Sequence, residues 1–529
     1  MIHDMTDVPA NPNVQPSRYS PFWFRFFEIL PGACVWLSLL SPFILSYYLP
    51  LSVTIFIIIF DIYWLILAFT YGGILINGYR RLQRNLKIDW QSYLHKIEEV
   101  PKAQREKADI LDWRELYHAI ILTTYKEQVE ILDSSITSII KAGYPKDHII
   151  LVLATEERDA THARKLGAYL KEKYGEHFRH FLVTEHPDGI VGEVKAKGAN
   201  ATWGARELTK WIDSQKIPYD RVIVSTADAD SRFDQRYFNC LSYIYATTPK
   251  RVHYSYQPIA MYFNNIWQAP IISRILAFGT TFWQMIESVR EYRLITFATH
   301  AMSLKTLVDI DYWCTSIVNE DSRQFFRAFF HYNGDFRVMP IFMPIYMDAV
   351  DVNNFWRTTK NLYLQQQRWA YGVEHFPYIV MEGLRRPKIR LRDRFMLAWR
   401  AFLDNFSWAT ASLFITAVGW IPITLNESFR DQVLAANFTV VTKSILSLTW
   451  VGILISAAVT LKLLPPPPPE KSKAYIFTMA LQWILVPITS LVFGAFPGLD
   501  AQTRLMLGKY IGFRVTEKAT APVTKKSVR

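Results

Sequence analysis

Apolar residues are concentrated towards the two ends of the chain and alternate with polar residues in the middle. Residues 29–79 contain a single charged residue, Asp61. This stretch is longer than the roughly 20 residues that one transmembrane helix needs, and Pro50 follows Tyr47 and Tyr48 at a point typical of an aromatic-rich membrane interface. The pattern therefore predicts two transmembrane helices. A cleaved signal peptide would lack the second apolar run.

Basic residues flank this predicted helix pair on both sides: Arg18 and Arg25 before it, and Arg80, Arg81, Arg84 and Lys87 after it. Because positive charge accumulates on the cytoplasmic side of membrane helices, we expect both ends of the pair to be cytoplasmic. The first 28 residues begin with a segment that contains Pro9, Pro12 and Pro16 and are predicted to form a disordered leader.

Three further apolar runs without charged residues lie at residues 405–426, 444–461 and 474–499. Three crossings would place the basic C-terminal tail on the far side of the membrane from a cytoplasmic domain that precedes them. We therefore expect one run not to cross, with residues 474–499 bent near Pro487 into a re-entrant or double short hairpin.

The middle of the chain has the alternation of strand and helix patterns that is typical of α/β proteins. Apolar strand-like runs lie at residues 118–125, 148–157, 181–186 and 221–230, and the residues between them, 129–142, 160–174 and 195–212, repeat apolar positions at helical spacing. Such an alternation predicts a parallel sheet with right-handed crossovers and a nucleotide-binding domain. Residues 269–285 and 390–400 mix basic, aromatic and apolar positions, which fits interfacial helices or ordinary domain core.

Composition narrows the class of protein. The 529 residues are 50% hydrophobic and 15% aromatic with a formal charge of +12, which is unlike one compact soluble domain. The basic residues flank membrane segments and interleave with acidic ones, so anionic lipid headgroups are simpler partners than nucleic acid. The three cysteines, Cys34, Cys240 and Cys314, lack the spacing of metal ligands.

Two acidic residues, Asp228 and Asp230, end the last strand-like run. Alternate residues of an extended chain point the same way, and the carboxyl ends of parallel strands are where α/β proteins bind ligands. The pair could therefore face one divalent cation such as Mg²⁺ together with substrate phosphates. Taken alone, it could also be a solvated acidic turn.

Two later motifs combine residues that suit a charged substrate. Glu320 and Asp321 follow Asn319 and could equally mark a helix N-terminus. In the run LQQQRWAYG, three residues share one helix face, Gln365, Arg368 and Trp369. A guanidinium binds phosphate and an indole offers a flat surface to a sugar, although an arginine and a tryptophan at a membrane surface are an alternative.

The ordered set ADAD, NED, QQQRW and FRVTEK, spaced between hydrophobic segments, resembles the membrane-integrated family 2 glycosyltransferases typified by cellulose synthase. The resemblance covers roughly residues 117–518. It implies an α/β fold, in the form of a GT-A, Rossmann-like, cytoplasmic catalytic domain inserted between transmembrane helices. The implied boundaries are a leader (1–28), two helices (29–79), the catalytic domain with interfacial helices (80–397), C-terminal helices (398–499) and a cytoplasmic gating segment and tail (500–529).

The resemblance also implies a role for each matched residue. Asp321 would be the general base with Glu320 beside it, and Asp228 and Asp230 would hold Mg²⁺ or Mn²⁺. Residues implied to contact the nucleotide are Tyr125, Glu127, Glu156, Lys197, Asp228, Arg368, Thr516 and Lys518. Residues implied to contact the acceptor are Gln365, Trp369, Phe297 and His300. Glu157 is an alternative to Glu156, Lys195 is an alternative to Lys197, and Asn200 could accompany the lysine.

These roles imply an inverting enzyme of the plasma membrane that moves a sugar from a UDP-sugar to a growing polysaccharide and exports the product through its own helices. A single transfer to a lipid phosphate carrier is the alternative enzyme. A non-catalytic membrane scaffold that keeps the nucleotide-sugar fold is the alternative outside enzymes. A transporter is disfavoured because the predicted spans lack paired charges.

Overall fold

The computed structural model describes residues 19–512, except for the side chains of residues 473 and 474. Within this range the chain contains eight β-strands in one sheet and twenty α-helices. The strands are β1 (Tyr117–Thr123), β2 (Ile149–Glu156), β3 (His180–His186), β4 (Val222–Asp228), β5 (Arg232–Phe233), β6 (Tyr254–Met261), β7 (His300–Ser303) and β8 (Arg337–Tyr346).

The helices are α1 (Pro21–Tyr48), α2 (Pro50–Asn85), α3 (Trp90–Glu99), α4 (Lys102–Lys107), α5 (Val129–Ile140), α6 (Ala160–Tyr174), α7 (Lys197–Ser214), α8 (Tyr237–Thr247), α9 (Ile271–Val289), α10 (Leu304–Asp309), α11 (Glu320–His331), α12 (Phe355–Ala370), α13 (His375–Arg385), α14 (Leu391–Thr416), α15 (Ile421–Leu425), α16 (Glu427–Arg430), α17 (Val433–Leu463), α18 (Lys473–Leu481), α19 (Val486–Ser490) and α20 (Phe496–Met506).

The sheet has the order β3-β2-β1-β4-β7-β6-β8-β5. Strands β1 to β4 are mutually parallel, β7 is antiparallel to both β4 and β6, and β6 pairs in parallel with β8. The predicted α/β class, with long apolar helices at both ends, is confirmed. The other half of the sheet, formed by β7, β6, β8 and β5, has mixed strand directions and was not predicted.

Both faces of the parallel half are covered, which explains why its strands are continuous apolar runs. Along β1, Ile120 and Leu122 belong to the core on one face, whereas Ala119 and Ile121 belong to the core on the other. Helix α7 packs against β1, β2 and β3. The sheet is therefore a buried scaffold whose strand ends carry the polar residues.

The first apolar stretch forms α1 and α2, which break at Leu49 as the sequence predicts. Helix α1 begins at Pro21, so the predicted disordered leader (1–28) is too long. The helix can begin earlier than predicted because Pro21 is at the first helical position, where the missing N–H of proline costs no hydrogen bond. Residues 1–18 lie outside the described part of the chain.

Four helices in the described residues are long and apolar enough to cross a membrane, and a bent fifth passes the same test. The four are Pro21–Tyr48, Pro50–Asn85, Val433–Leu463 and Tyr475–Met506, and the bent pair joins Leu391–Thr416 to Val418–Leu425 at 44°. Residues 390–400 therefore do not form a separate interfacial helix. They begin a continuous helix, α14, that also contains the start of the run at 405–426.

The hairpin predicted near Pro487 is wrong. Residues 475–506 form one continuous helical segment, because a 3₁₀ turn at Gln482–Leu485 accommodates the proline and a π-turn at Leu491–Ala495 follows it. Each end of the segment is held by an arginine of another helix. At its start, Arg274 of α9 donates to the Tyr475 hydroxyl at 2.7 Å, and at its end Arg25 of α1 donates to the carbonyl of Leu505 at 2.8 Å.

Candidate active site

The carboxyl ends of the central strands bring the predicted nucleotide residues to one edge of the sheet. In the strand register, Thr123 of β1 is paired with Asp228 of β4 on one side and with Ala154 of β2 on the other. The loop that carries Tyr125 therefore lies beside both Asp228 and the end of β2. Antiparallel β7 starts with His300 opposite Thr226, so residues 296–299 reach the same edge from the opposite direction.

The DxD pair is held by interactions from several elements. Lys197, the first residue of α7, donates to Asp228 Oδ1 at 2.7 Å. The backbone amide of Asp348, just beyond β8, donates to Asp230 Oδ2 at 3.0 Å. Asp230 is 3% exposed. The two carboxylates thus lie at the centre of the sheet edge, between α7 and the end of β8.

Of the two candidate lysines, the structure places Lys197 at the DxD motif. Lys195 forms an ion pair with Asp188, and its side chain is 59% exposed, compared with 15% for Lys197. Burial alone would lower the pKa of Lys197, but the carboxylates Asp228, Glu320 and Asp321 raise the pKa above its ordinary value. Lys197 therefore stays protonated and faces three acidic residues. Asn200, one turn further along α7, donates instead to the carbonyl of Ala154.

The carboxylate of Asp321 is held by backbone amides. The amide of Ala298 donates to Oδ2 at 2.9 Å, and the amide of Ser322 donates to Oδ1 at 2.8 Å. Ala298 has a positive φ of 45°, an unfavourable conformation for a residue with a Cβ. Helix α11 begins at Glu320, so both acidic residues are also in the first turn of a helix.

Glu320 is buried beside Asp321. Burial and the charge of Asp321 raise the pKa of Glu320 to about 8, although Lys197 opposes the shift. The close packing depends on Gly198, because a Cβ there would lie 2.7 Å from the carbonyl oxygen of Cys314 and 2.9 Å from Glu320 Cβ. Only glycine lets α7 approach α11 this closely.

Tyr262, which follows β6, shows that the separate motifs meet. Burial raises the pKa of Tyr262 well above its ordinary value, the carboxylates of Asp228, Asp230 and Asp321 raise it further, and Arg368 opposes them. One hydroxyl therefore experiences the charges of the ADAD, NED and QQQRW motifs together. Contacts place the motifs side by side: the Asn319 amide group donates to the Arg368 carbonyl at 3.1 Å, and Gly198, next to Lys197, packs against Glu320.

Aromatic rings form the adjoining wall of the cleft. The ring of Trp369 packs edge-on against Phe297 at 5.9 Å and lies 6.4 Å from Tyr262. Phe297 also contacts Trp283 of α9 at 5.4 Å. The structure thus brings together two of the predicted acceptor residues, Phe297 and Trp369. Flat apolar surfaces of this kind suit the faces of sugar rings.

The opposite end of the cleft contains the predicted base-binding residues. Arg158 lies over the Tyr125 ring at 4.4 Å and donates through Nε to Glu156 at 2.7 Å. Glu127 accepts a hydrogen bond from the Thr124 hydroxyl at 2.9 Å, which shapes the loop around Tyr125. The alternative residue Glu157 accepts from the amide of Asp188 on the neighbouring loop.

Other predicted residues lie less directly at the cleft. His300 is 1% exposed, and burial and the charge of Lys197 lower its pKa to about 3, although the carbonyl of Ala298 opposes this. The histidine is neutral and does not reach the cleft surface, because β7 carries it into the sheet. Gln365 is half-buried on α12 with Arg368 and Trp369. Thr516 and Lys518 lie outside the described residues.

The DxD pair offers oxygen ligands of the type that Mg²⁺ and Mn²⁺ prefer. Within residues 19–512, no group of three or more histidine, cysteine or acidic side chains is arranged to hold a metal ion. Two carboxylates fit a divalent ion whose remaining ligands come from phosphate and water. Asp228 and Asp230 therefore fit a metal that arrives with a nucleotide.

Sequence reasoning missed Tyr262, Arg158 and Ala298. Arg158 is two residues from Glu156 in LATEERD, and its charge next to a strand end could have marked it. Tyr262 follows a strand with no local motif, and Ala298 contributes only a backbone amide. The sequence therefore contains no local signal that marks Tyr262 or Ala298 as functional.

No family model and no curated protein matches the chain. Solved structures that it resembles include the mannosyltransferase PcManGT from Pyrobaculum calidifontis in complex with GDP-Man and Mn²⁺, with 14% identity, a TM-score of 0.36 and coverage of 82% of this chain and 99% of that one. Another is S. aureus TarS, with 13% identity, a TM-score of 0.35 and coverage of 75% and 94%. A complex of TarS with UDP-GlcNAc has 11% identity, a TM-score of 0.34 and the same coverage. Likeness at this level describes what the chain resembles and does not define its activity.

Proposed function

We propose that the protein is a membrane-integrated, inverting glycosyltransferase that moves a sugar from a nucleotide sugar to a carbohydrate acceptor. The observation that carries this proposal is the proximity of the ADAD, NED and QQQRW motifs, which contacts of Lys197, Gly198 and Asn319 join. Three motifs spread over residues 227–369 contribute acidic, basic and aromatic side chains to the proposed site. The resemblance to family 2 enzymes gives each residue a role consistent with its position.

Inversion requires the acceptor hydroxyl to lose a proton while it attacks the anomeric carbon from the face opposite the leaving group. Asp321 is the proposed base, because two backbone amides orient its carboxylate beside the aromatic wall. Lys197 and Arg368 would offset the negative charge that develops on the departing diphosphate. A divalent ion held by Asp228 and Asp230 would act as a Lewis acid when bound.

At the other end of the cleft, Tyr125 and Arg158 would stack against the base of the nucleotide, and Glu156 would fix the arginine. We propose a uridine nucleotide on the strength of the family resemblance. Thr516 and Lys518, which lie outside the described residues, are proposed to contact the same nucleotide. Gln365 is proposed to contact the acceptor beside Trp369.

The long apolar helices support a location in the plasma membrane with the cleft in the cytoplasm. Segment 475–506 contacts Arg274 of α9 at its start and Arg25 of α1 at its end. Tyr19, just before α1, donates to Glu382 of α13. We propose that this segment does not cross the membrane. The basic tail would then remain on the side of the cleft, as the positive-inside rule requires.

The acceptor separates the two enzymatic alternatives. In the preferred form the enzyme extends a polysaccharide and passes it through its own helices, and in the other it transfers one sugar to a lipid phosphate carrier. Purified protein in lipid vesicles should first be screened for UDP or GDP release from a panel of nucleotide sugars with Mg²⁺ or Mn²⁺. Labelled product that is long and water-soluble supports the polymerase. Exclusively short, chloroform-soluble product would overturn it.

A further inference from the structure

A cluster of polar residues around the buried Glu28 lies between α1 and the last described residues, outside the cleft. Arg25 of α1 donates to three acceptors: Glu28 Oε2 at 2.9 Å, the Leu505 carbonyl at 2.8 Å and the Met506 carbonyl at 2.5 Å. The Tyr510 hydroxyl donates to the same Glu28 oxygen at 3.1 Å. Glu28 is 2% exposed. We call these three residues, Arg25, Glu28 and Tyr510, the clasp.

The clasp holds the end of the described chain against the helix of the QQQRW motif. Tyr510 and Ile511 pack on a small core that contains Tyr371 and Val373, immediately after Trp369, together with Leu505. Arg25 donates to two carbonyls in the last turn of α20, Leu505 and Met506, where helical acceptors remain available. The direction in which the chain leaves α20 is therefore set by one arginine of the first membrane helix.

Glu374 directly follows Val373 of this small core, and a set of hydrogen bonds leads from its carbonyl towards the proposed base. The Arg323 guanidinium donates through Nη2 to the Glu374 carbonyl at 3.3 Å and through Nε to His375 Nδ1 at 3.1 Å. Since His375 Nδ1 accepts, its Nε2 carries the proton and donates to the Ser322 hydroxyl at 2.8 Å. Ser322 is the residue whose amide orients Asp321.

The intermediate residues are buried, so their positions depend on one another. Tyr371 is fully buried, and Arg323 and His375 are 7% and 5% exposed. Arg323 also lies over the Tyr378 ring of α13 at 4.0 Å. A buried donor or acceptor that loses its partner costs free energy. A shift at the clasp would therefore be transmitted through Tyr371, Glu374 and His375 and would be felt at Asp321.

We propose that the clasp of Arg25, Glu28 and Tyr510 positions the segment after α20 and the proposed base Asp321 together, so that the first membrane helix and the catalytic carboxylate are energetically coupled. Its effect on turnover rests on the proposed function, but the coupling itself does not. The clasp residues are positioning residues, because they touch neither the cleft nor the reacting atoms.

The first test measures the coupling without activity. Amide hydrogen exchange of the full protein in lipid nanodiscs is compared for wild type, Glu28→Gln and Tyr510→Phe. We expect exchange to rise roughly 3- to 30-fold at residues 505–511 and also at residues 320–323, which are distant in sequence. The matched control is Tyr48→Phe, because this tyrosine lies at the far end of α1 and is 72% exposed. Faster exchange at 505–511 with no change at 320–323 would overturn the coupling.

The second test is a double-mutant cycle in the transfer reaction. Tyr510→Phe should lower kcat with little change in the dissociation constant for the nucleotide, and it should have little further effect when Glu28 is already Gln. Independent, multiplicative effects of the two substitutions, or wild-type kcat in Tyr510→Phe, would contradict the proposal. If the wild type turns over no nucleotide sugar, the proposed function fails, and the exchange experiment still decides the coupling.

Discussion

The two walls of the cleft hold their charged residues in different ways. On the wall proposed for the nucleotide, two ion pairs dominate, Lys197 with Asp228 and Arg158 with Glu156, and a backbone amide holds only Asp230. On the acceptor wall, the carboxylate of Asp321 is held by the backbone amides of Ala298 and Ser322. The same edge of the sheet thus combines an ion-paired wall with a backbone-fixed one.

The difference fits the chemistry proposed for each wall. A side-chain ion pair can exchange its partner when a charged ligand arrives, because lysine and arginine have several accessible rotamers. Amides of a sheet edge and a helix N-terminus do not reorient in this way. The nucleotide wall can therefore adapt to a diphosphate and a metal, whereas the base on the acceptor wall is already oriented before substrate binds.

We expect the largest loss of turnover from a substitution in the backbone-fixed wall, at Asp321. Asp321→Asn keeps the size of the side chain but removes the base and turns an amide group towards a backbone N–H. We expect turnover to fall about 100- to 10,000-fold, whereas the nucleotide dissociation constant stays within about threefold because the other wall is intact. Nucleotide release and equilibrium binding measure the two quantities. Unchanged function in this variant would favour the non-catalytic scaffold.

Two lysines, Lys195 and Lys197, allow a matched test of the ion-paired wall. Lys197→Met leaves Asp228 without its nearest cation and removes a charge facing the diphosphate, so we expect kcat divided by KM for the donor to fall about 10- to 100-fold. Lys195→Met is the matched control, because Lys195 pairs with Asp188 and is largely exposed, and such pairs contribute little. Equal losses in the two variants would show that the ion-paired wall is not specific to Lys197.

The two walls also differ in how far they could be predicted. The strands of the nucleotide wall, β1 to β4, follow local apolar runs, and helix α6 begins and ends where the periodicity indicates. Parallel strands with crossover helices place their carboxyl ends together by a general rule. The proximity of Tyr125, Glu156 and Asp228 was therefore accessible from the sequence.

The acceptor wall depends on contacts between distant parts of the chain. The antiparallel pairing of β7 with β4 decides that His300 turns into the sheet and that Ala298 presents an amide to Asp321. No local pattern encodes that register. The hairpin expected at Pro487 failed for a related reason, because packing of residues 475–506 against α14 and α9 allows the proline to be accommodated within a helix.

Aromatic residues provide a reciprocal test of the two walls. Trp369→Ala removes the surface beside Phe297, so we expect KM for the acceptor to rise about tenfold with donor affinity unchanged. Tyr125→Ala removes the ring under Arg158, and we expect donor affinity to fall about tenfold with acceptor KM unchanged. Binding of UDP and acceptor titrations at saturating donor separate these outcomes. If each variant altered both affinities equally, the walls would not act separately.

The smallest predicted effect concerns Glu320, which lies where the two walls meet. Its pKa is raised to about 8 from an ordinary 4.5, so the folded protein holds this proton more tightly than the unfolded chain does. The unfolded state releases the proton near pH 4.5 and the folded state only near pH 8, so the free energy of unfolding should fall as pH rises through this window. Because the pKa of Glu374 is also raised, to about 7, we expect Glu320→Gln to reduce that slope, most clearly between pH 7 and 8, and Glu427→Gln, an exposed glutamate in α16, to leave it unchanged. Thermal unfolding midpoints measured from about pH 5 to pH 9 would show whether Glu320 is protonated beside Asp321, and an identical slope in wild type and Glu320→Gln would show that the proton resides elsewhere.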